Sequence, residues 1–231
     1  MVDEIEWHRS KFSNAHGGGG MRFGFMLLVL MFAGVANAAS VHEQAGNIFY
    51  VGDDGVSRQL TSLRSDSEPI LSPDGQTVVF GRATRQKAPD SEELERELWI
   101  ADISGKQVRR LLATHYDEAL EKTLTQINNW KFSADGKQLY FLSVAWAVSN
   151  ALHVLDLASG KEHYITDAND VLVVGKGKYA NHLVVAKHKY FKAGGSSDYY
   201  WLITPQGKEI RKVGEDDEQA KRFVRKQEGK R

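Results

Sequence analysis

Runs of β-branched and aromatic residues, each bounded by Gly, Asp or Ser, recur closely from residue 45 to residue 213. That pattern predicts strands throughout the region. Two stretches repeat. Ser72-Pro73-Asp74-Gly75 leads into Val78-Val79-Phe80, and Ser133-Ala134-Asp135-Gly136 leads into Leu139-Tyr140-Phe141, the two serines lying 61 positions apart. Each reads as a tight turn running into an apolar strand, because Gly supplies the positive φ that a short turn requires. A second strand pair follows each copy. Leu98 to Ile103 turns at Ser104-Gly105-Lys106 into Val108 to Leu112, and Leu152 to Leu157 turns at Ser159-Gly160-Lys161 into His163 to Thr166.

A degraded third copy runs through Val171 to Val174, Leu183 to Ala186 and Tyr199 to Thr204, ending at the turn Pro205-Gln206-Gly207-Lys208. Upstream, Asn47 to Val51, Asp53-Asp54-Gly55 and Arg58 to Thr61 have the form of the outer hairpin alone. The chain is therefore expected to hold three four-stranded units preceded by half of one. Lys87 to Glu97, with Glu92, Glu93, Glu95 and Glu97, and Asp117 to Lys122, a short helix with Glu118 four before Lys122, are expected as surface excursions. From Glu215 onward acids precede bases, the order a helix dipole favours. The only large apolar residues there are Phe223 and Val224, so residues 214–231 are expected as a charged tail or short solvated helix, with docking on a partner as the other reading.

At Ser72-Pro73-Asp74-Gly75 with Val78-Val79-Phe80, followed by Leu98-Trp99-Ile100-Ala101-Asp102, the chain resembles the TolB-type β-propeller repeat family. The resemblance covers roughly residues 45 to 213. It implies an all-β fold, a partial or small β-propeller of about three to four blades of four-stranded antiparallel sheets, occupying residues 39–213. Such repeats occur in periplasmic protein-binding propellers and in the propellers that gate some serine peptidases, so the family implies a fold more strongly than a function. The sequence departs from the pattern at Ala134, where the repeat has Pro, and in the third unit, which lacks the Ser-x-Asp-Gly turn. Three and a half units fall short of the four blades of the smallest closed rings, and an open array leaves strand edges unpaired. Either the hairpin at 47–61 completes a fourth, partial blade, or two chains complete one ring between them.

Composition narrows the partners. The 231 residues are 42% hydrophobic and 26% charged, with 30 basic and 30 acidic side chains, which supplies no overall field for nucleic acid or an anionic membrane. From Met21, Arg22 is followed by an apolar run from Phe23 to Val35 and by Ala36-Asn37-Ala38-Ala39. This reads as a secretory signal peptide over 21–38, cleaved near Ala38-Ala39. The run is too short for a membrane span and no cysteine follows it, so no stable membrane anchor is expected. Residues 1–20, acidic where an export leader is basic, read as a non-native or mis-assigned leader; the other reading is a cytoplasmic N-terminus followed by a buried helix. Removing residues 1–38 leaves the charge balanced.

The chemistry expected is binding rather than catalysis. Gly194-Gly195-Ser196-Ser197-Asp198 lacks the spacing of a nucleophile elbow. No histidine pair has the i, i+4 spacing of a helical zinc site, so no catalytic residue, metal or cofactor is assigned. His153 and His163 are expected to face each other across a hairpin. Lys187 to Lys192 reads as a lysine-protected strand edge. In a propeller, the segments that begin each innermost strand converge on one mouth of the axis. Glu68, Asn128, Asn129, Asn169 and Asp170 there form a candidate site for a peptide or basic group, with Trp146 as a candidate exposed anchor. The role this implies is a non-enzymatic periplasmic binding or scaffold module for a protein or peptide partner in the cell envelope, with homo-oligomers through open blade edges as a further expectation. A small envelope hydrolase and a degenerate propeller remnant are the alternatives.

Overall fold

The computed structural model describes residues 38–89 and 91–229. The leader at 1–20 and the signal segment up to residue 37 lie outside the described residues. Within them the chain forms four antiparallel sheets and one α-helix. The first sheet holds β1 (Ser40–Gln44), β2 (Asn47–Val51) and β3 (Ser57–Gln59), in that order. The second holds β4 (Asp66–Leu71), β5 (Thr77–Lys87), β6 (Leu94–Asp102) and β7 (Val108–Leu112). The third holds β8 (Asn128–Phe132), β9 (Gln138–Val144), β10 (Asn150–Asp156) and β11 (Glu162–Ala168). The fourth holds β12 (Asp170–Val173), β13 (Leu183–Tyr190), β14 (Ser196–Ile203) and β15 (Glu209–Gly214), and α1 (Asp217–Gln227) follows. Each sheet is a meander of sequential strands, one propeller blade, as the repeats imply.

The two Ser-x-Asp-Gly turns close by the same local bonds. The Ser72 hydroxyl donates to Asp74 Oδ1 at 2.6 Å and accepts from the Thr77 N–H at 3.0 Å, while Asp74 Oδ1 also accepts from the Gln76 N–H. Ser133, Asp135, Lys137 and Gln138 repeat the arrangement. In each case the serine satisfies a backbone donor at the start of the following strand, which is why the motif precedes β5 and β9.

The first blade has more than the expected outer hairpin, yet lacks one strand. The Gly105 turn between β6 and β7 packs on Leu60 just after β3, as the Gly207 turn between β14 and β15 packs on Ile165 of β11, so β3 stands where an outermost strand stands and β2 and β3 correspond to β6 and β7. By that correspondence β1 is the second strand of its blade. Among the described residues the inner strand, the counterpart of β4, β8 and β12, is missing. The sequence hides β1 because it is polar and almost wholly exposed, and because Ala45 and Gly46, both at positive φ, form a two-residue turn without the usual Asn-Gly.

The blades pack face to face in chain order. Ile48 and Leu60 of blade 1 meet Val78, Phe80 and Ala101 of blade 2. Val79 and Leu98 meet Trp130, Leu139 and Phe141 of blade 3. Tyr140, Leu142 and Leu152 meet Val171, Leu183 and Val185 of blade 4. The remaining face of blade 4, with Val184, Tyr200 and Leu202, is covered by Ala220, Phe223 and Val224 of α1. The helix thus stands where the next blade of a longer array would stand, as a terminal cap does in repeat proteins.

Several expectations change. The segment after Gly214 forms a short helix, one of the two forms expected, but packed on blade 4 rather than solvated: Asp216 N-caps α1 by accepting from the Gln219 N–H, and Ala220 is fully buried. The Lys87 to Glu97 excursion is mostly an extension of the β5–β6 hairpin, and Glu95 within it is fully buried. Its carboxylate accepts from the Tyr116 and Thr125 hydroxyls and, at 2.9 Å, from the Gln126 N–H, tying the hairpin to the connection between blades 2 and 3. Asp117 to Lys122 contains a single 3-10 turn at Leu120–Lys122. Lys187 lies on an internal strand, buried against Glu209, Asp167 and Thr166, so it protects no edge. A bulge after Leu152 pairs His153 with Tyr164 instead of His163; its imidazole stacks on Phe141 and pairs with Glu162.

Candidate functional site

The inner strands β4, β8 and β12 bring their first residues to one end of the axis and their last residues to the other. At the first end, a bulge interrupts β4 between Ser67 and Ile70 and β8 between Asn128 and Lys131. Glu68 and Asn129, 61 positions apart like the turn serines, occupy these bulges at φ 52° and 49°. Bulges re-aim side chains, and here Glu68 turns to Arg96 while Asn129 turns to Asp170 of the next blade.

The polar groups there are tied to one another. Asn129 Nδ2 donates to Asp170 Oδ1 at 2.7 Å, joining blades 3 and 4. Asp170 Oδ1 also accepts from the Val171 N–H, and its Oδ2 accepts from the Tyr200 hydroxyl at 3.0 Å. Burial, then the Asp170 charge, hold the Tyr200 phenol well above the ordinary tyrosine range. Glu68 pairs with Arg96 at 2.7 Å, and its main-chain carbonyl accepts from Trp130 Nε1 at 3.0 Å, joining blades 2 and 3. Asn128 Nδ2 donates to Gln126 O. Asn169 donates to Val148 O and to Asp198 Oδ2, and accepts from the Asn150 N–H. Trp146 is half-buried, its ring edge-on to Tyr164 at 6.2 Å, rather than a free anchor. Asn129 and Asp170 therefore meet across blades 3 and 4, and Asn169 links Val148 and Asn150 of blade 3 to Asp198 of blade 4, whereas the Glu68 side chain turns to Arg96 of its own blade, Asn128 satisfies local backbone and Trp146 lies on the β9–β10 connection.

Two features at and near this axis are absent from any motif. Beside β4, a cleft of about 490 Å³ separates blades 1 and 2, lined in part by Glu43 and Gly46, by Asp66 and Ser67, and by Glu93 and Arg96. Asp66 forms its wall through a buried two-pronged pair with Arg82, at 2.5 and 2.9 Å. At the opposite end of the axis a second cavity, about 390 Å³, lies between the ends of the inner strands and α1. Ile70 and Leu71, Lys131 and Phe132, and Leu172 and Val173 come from equivalent places on β4, β8 and β12; Lys221, Val224 and Arg225 close the fourth side. The only advance sign of its fourth wall was the pairing of Val224 with bases on one short segment.

One constellation resembles a catalytic dyad. His188 Nδ1 lies 2.7 Å from Asp198 Oδ1 across β13 and β14, and its Nε2 is buried with no hydrogen-bond partner. A triad requires a nucleophile hydroxyl or thiol on that nitrogen, and none among the described residues bonds it. Among the described residues no group of three His, Asp or Glu side chains is placed to hold a metal.

No family model matches the sequence, and no curated protein matches it. Solved structures do match in fold. Dipeptidyl peptidase 4 of Porphyromonas gingivalis aligns with 78% of the chain at 12% identity and a TM-score of 0.54. The β-propeller domain of the Trilobed protease from Pyrococcus furiosus, described as having an open velcro topology, aligns with 74% at 16% identity and 0.50. A putative TolB from Agrobacterium tumefaciens aligns with 77% at 12% identity and 0.50. The chain spans 31%, 48% and 58% of those three structures. At such identities the likeness establishes the TolB-like propeller fold and leaves activity open.

Proposed function

We propose that the chain is an exported, non-enzymatic binding module of the periplasm, of the TolB-type propeller kind, which takes an extended segment of a cell-envelope protein as the missing inner strand of its first blade. The carrying observation is the edge of β1 that no strand among the described residues pairs, on the side where the other three blades have their inner strand. The β1–β2 register fixes which groups face it. Gln44 and Asn47 flank a two-residue turn and bond each other, so His42 and Ser40 also bond β2, while the N–H and C=O of Val41 and Glu43 point to the open side. That edge opens into the cleft beside β4, where main-chain bonds supply affinity and the cleft selects side chains. The mouth residues Glu68, Asn128, Asn129, Asn169 and Asp170, with Trp146 beyond them, form the surface a longer partner meets next.

The leader pattern from Met21 to Ala39 supports export, and no helix among the described residues is long and apolar enough to cross a membrane. The mouth groups bond one another across blades 3 and 4, which gives a partner a preformed polar surface and supports the binding reading.

The test is photo-crosslinking in intact cells from a photoreactive residue at position 43, with mass spectrometry of the adducts, in the parent chain and with Val41→Pro added. Adducts confined to one segment of an envelope protein, and lost with proline, support the reading. Adducts only to a second copy of the chain, or a proline-insensitive pattern, overturn it.

A further inference from the structure

The cavity between the inner-strand ends and α1 combines an apolar lining with three cations and no carboxylate among its lining residues. Its volume of about 390 Å³ falls within the roughly 300–1,000 Å³ range of small-molecule sites. Of the cations, Lys221 is already paired with Asp217 at 2.5 Å on the same helix. Lys131 of β8 and Arg225 of α1 form no ion pair among the described residues, although both line a pocket whose other walls are aliphatic or aromatic. Lys131 is half-buried and Arg225 exposed, so both cations stand at the solvent side of the apolar lining, where an anion whose tail enters the cavity can meet them.

The lining also distinguishes among anions. It holds no Ser, Thr, Asn, Gln or acidic side chain, so a peptide entering it would leave main-chain N–H groups without side-chain acceptors, at a cost of desolvation. An alkyl chain makes no such demand. Inorganic phosphate or sulfate would use the cations and leave Ile70, Phe132 and Leu172 uncovered.

We propose that this cavity binds an alkyl carboxylate of medium chain length, its tail among Ile70, Phe132, Leu172 and Val224 and its carboxylate between Lys131 and Arg225. Because α1 supplies one wall, the ligand also holds the helix against the inner strands. The site lies at the end of the axis opposite the polar mouth and does not depend on strand addition at β1.

The test is calorimetric titration of the full chain with decanoate below micelle-forming concentrations, compared with butyrate, with decanol and with an apolar hexapeptide bearing a free C-terminal carboxylate. Decanoate is expected to bind one per chain, with butyrate and decanol at least about tenfold weaker, since losing tail or charge each removes more than 1.4 kcal/mol. The double variant K131Q/R225Q is expected to weaken decanoate at least about tenfold while keeping the parent's thermal midpoint, which shows that the fold is retained. Absence of decanoate binding, equal affinity in a folded double variant, or tighter binding of the hexapeptide overturns the proposal.

Discussion

The indole of Trp130 on β8 reaches across the interface between blades 2 and 3 and donates its Nε1–H to the main-chain carbonyl of Glu68 on β4, over 3.0 Å. The carbonyl is available because the bulge at Glu68 turns the backbone out of the β4–β5 ladder. The indole can approach because β5 carries Gly81 beneath it, where an added Cβ would come within 2.7 Å of Trp130 Cη2 and 2.4 Å of Arg96 Cδ.

Gly81→Ala should therefore push Trp130 off its bond and lower stability by about 1–3 kcal/mol, the usual cost of overpacking. Trp130→Phe, which loses the donor and keeps most of the ring, should cost about 1 kcal/mol. Urea unfolding of the two variants checks the order; a neutral Gly81→Ala would mean that the interface is looser than described.

Acid should loosen the repeats at their turns. The Ser72 hydroxyl, then the Gln76 N–H, hold Asp74 below its ordinary value of 3.8, and Ser133 and the Lys137 N–H do the same for Asp135. A carboxylate depressed in the folded state contributes stability that is complete above its unfolded value and is lost as pH falls through the folded one. The thermal midpoint should hold from pH 7 to about 5 and fall below about 4. Asp74→Asn with Asp135→Asn should flatten that fall.

Glu95 is the buried charge on which the connection between blades 2 and 3 depends. Glu95→Ala strands the Gln126 N–H and the Thr125 hydroxyl and should cost about 2–3 kcal/mol, as expected for bonds to a charged group. Glu95→Gln should recover part of this. Denaturant midpoints of both variants are the measurement; a Glu95→Gln variant as stable as the parent would show that the carboxylate is not needed, and a loss equal to that of Glu95→Ala would show that the amide replaces none of its bonds.

Covering blade 4 with α1 should keep the chain from associating through that face. Ala220→Glu places a carboxylate where the helix is fully buried, which should displace α1 and expose Val184, Tyr200 and Leu202. Sedimentation should then show concentration-dependent self-association in the variant and less in the parent. A variant no more associated than the parent would mean that the helix is not what shields the face.

What could be read in advance depended on how local the cause was. The Ser72 and Ser133 turns are built from bonds spanning at most five residues, so their repetition revealed blades 2 and 3, and the apolar pattern of β12 to β15 carried blade 4 despite its different turn. β1 is hidden in the sequence because Val41 is its one apolar residue, among Ser, His, Glu and Gln, and a single apolar position sets up no alternation. The docking of α1 rests mainly on Ala220, Phe223 and Val224, too few to outweigh the charges around them. Among four glutamates in one charged run, nothing local marks Glu95 as the buried one, since Tyr116, Thr125 and Gln126 lie far along the chain. That Asn129 and Asp170 bond each other follows only from the placement of neighbouring blades.

The central claim is that blade 1 presents an unpaired edge, and site-resolved amide hydrogen exchange of the full chain at β1 tests it most directly. The account predicts alternation, with slow exchange at His42 and Gln44, which bond β2, and fast exchange at Val41 and Glu43, which face the open side. Strong protection of Val41 and Glu43, equal to that of their neighbours, would show that another strand already fills the place and would contradict the account.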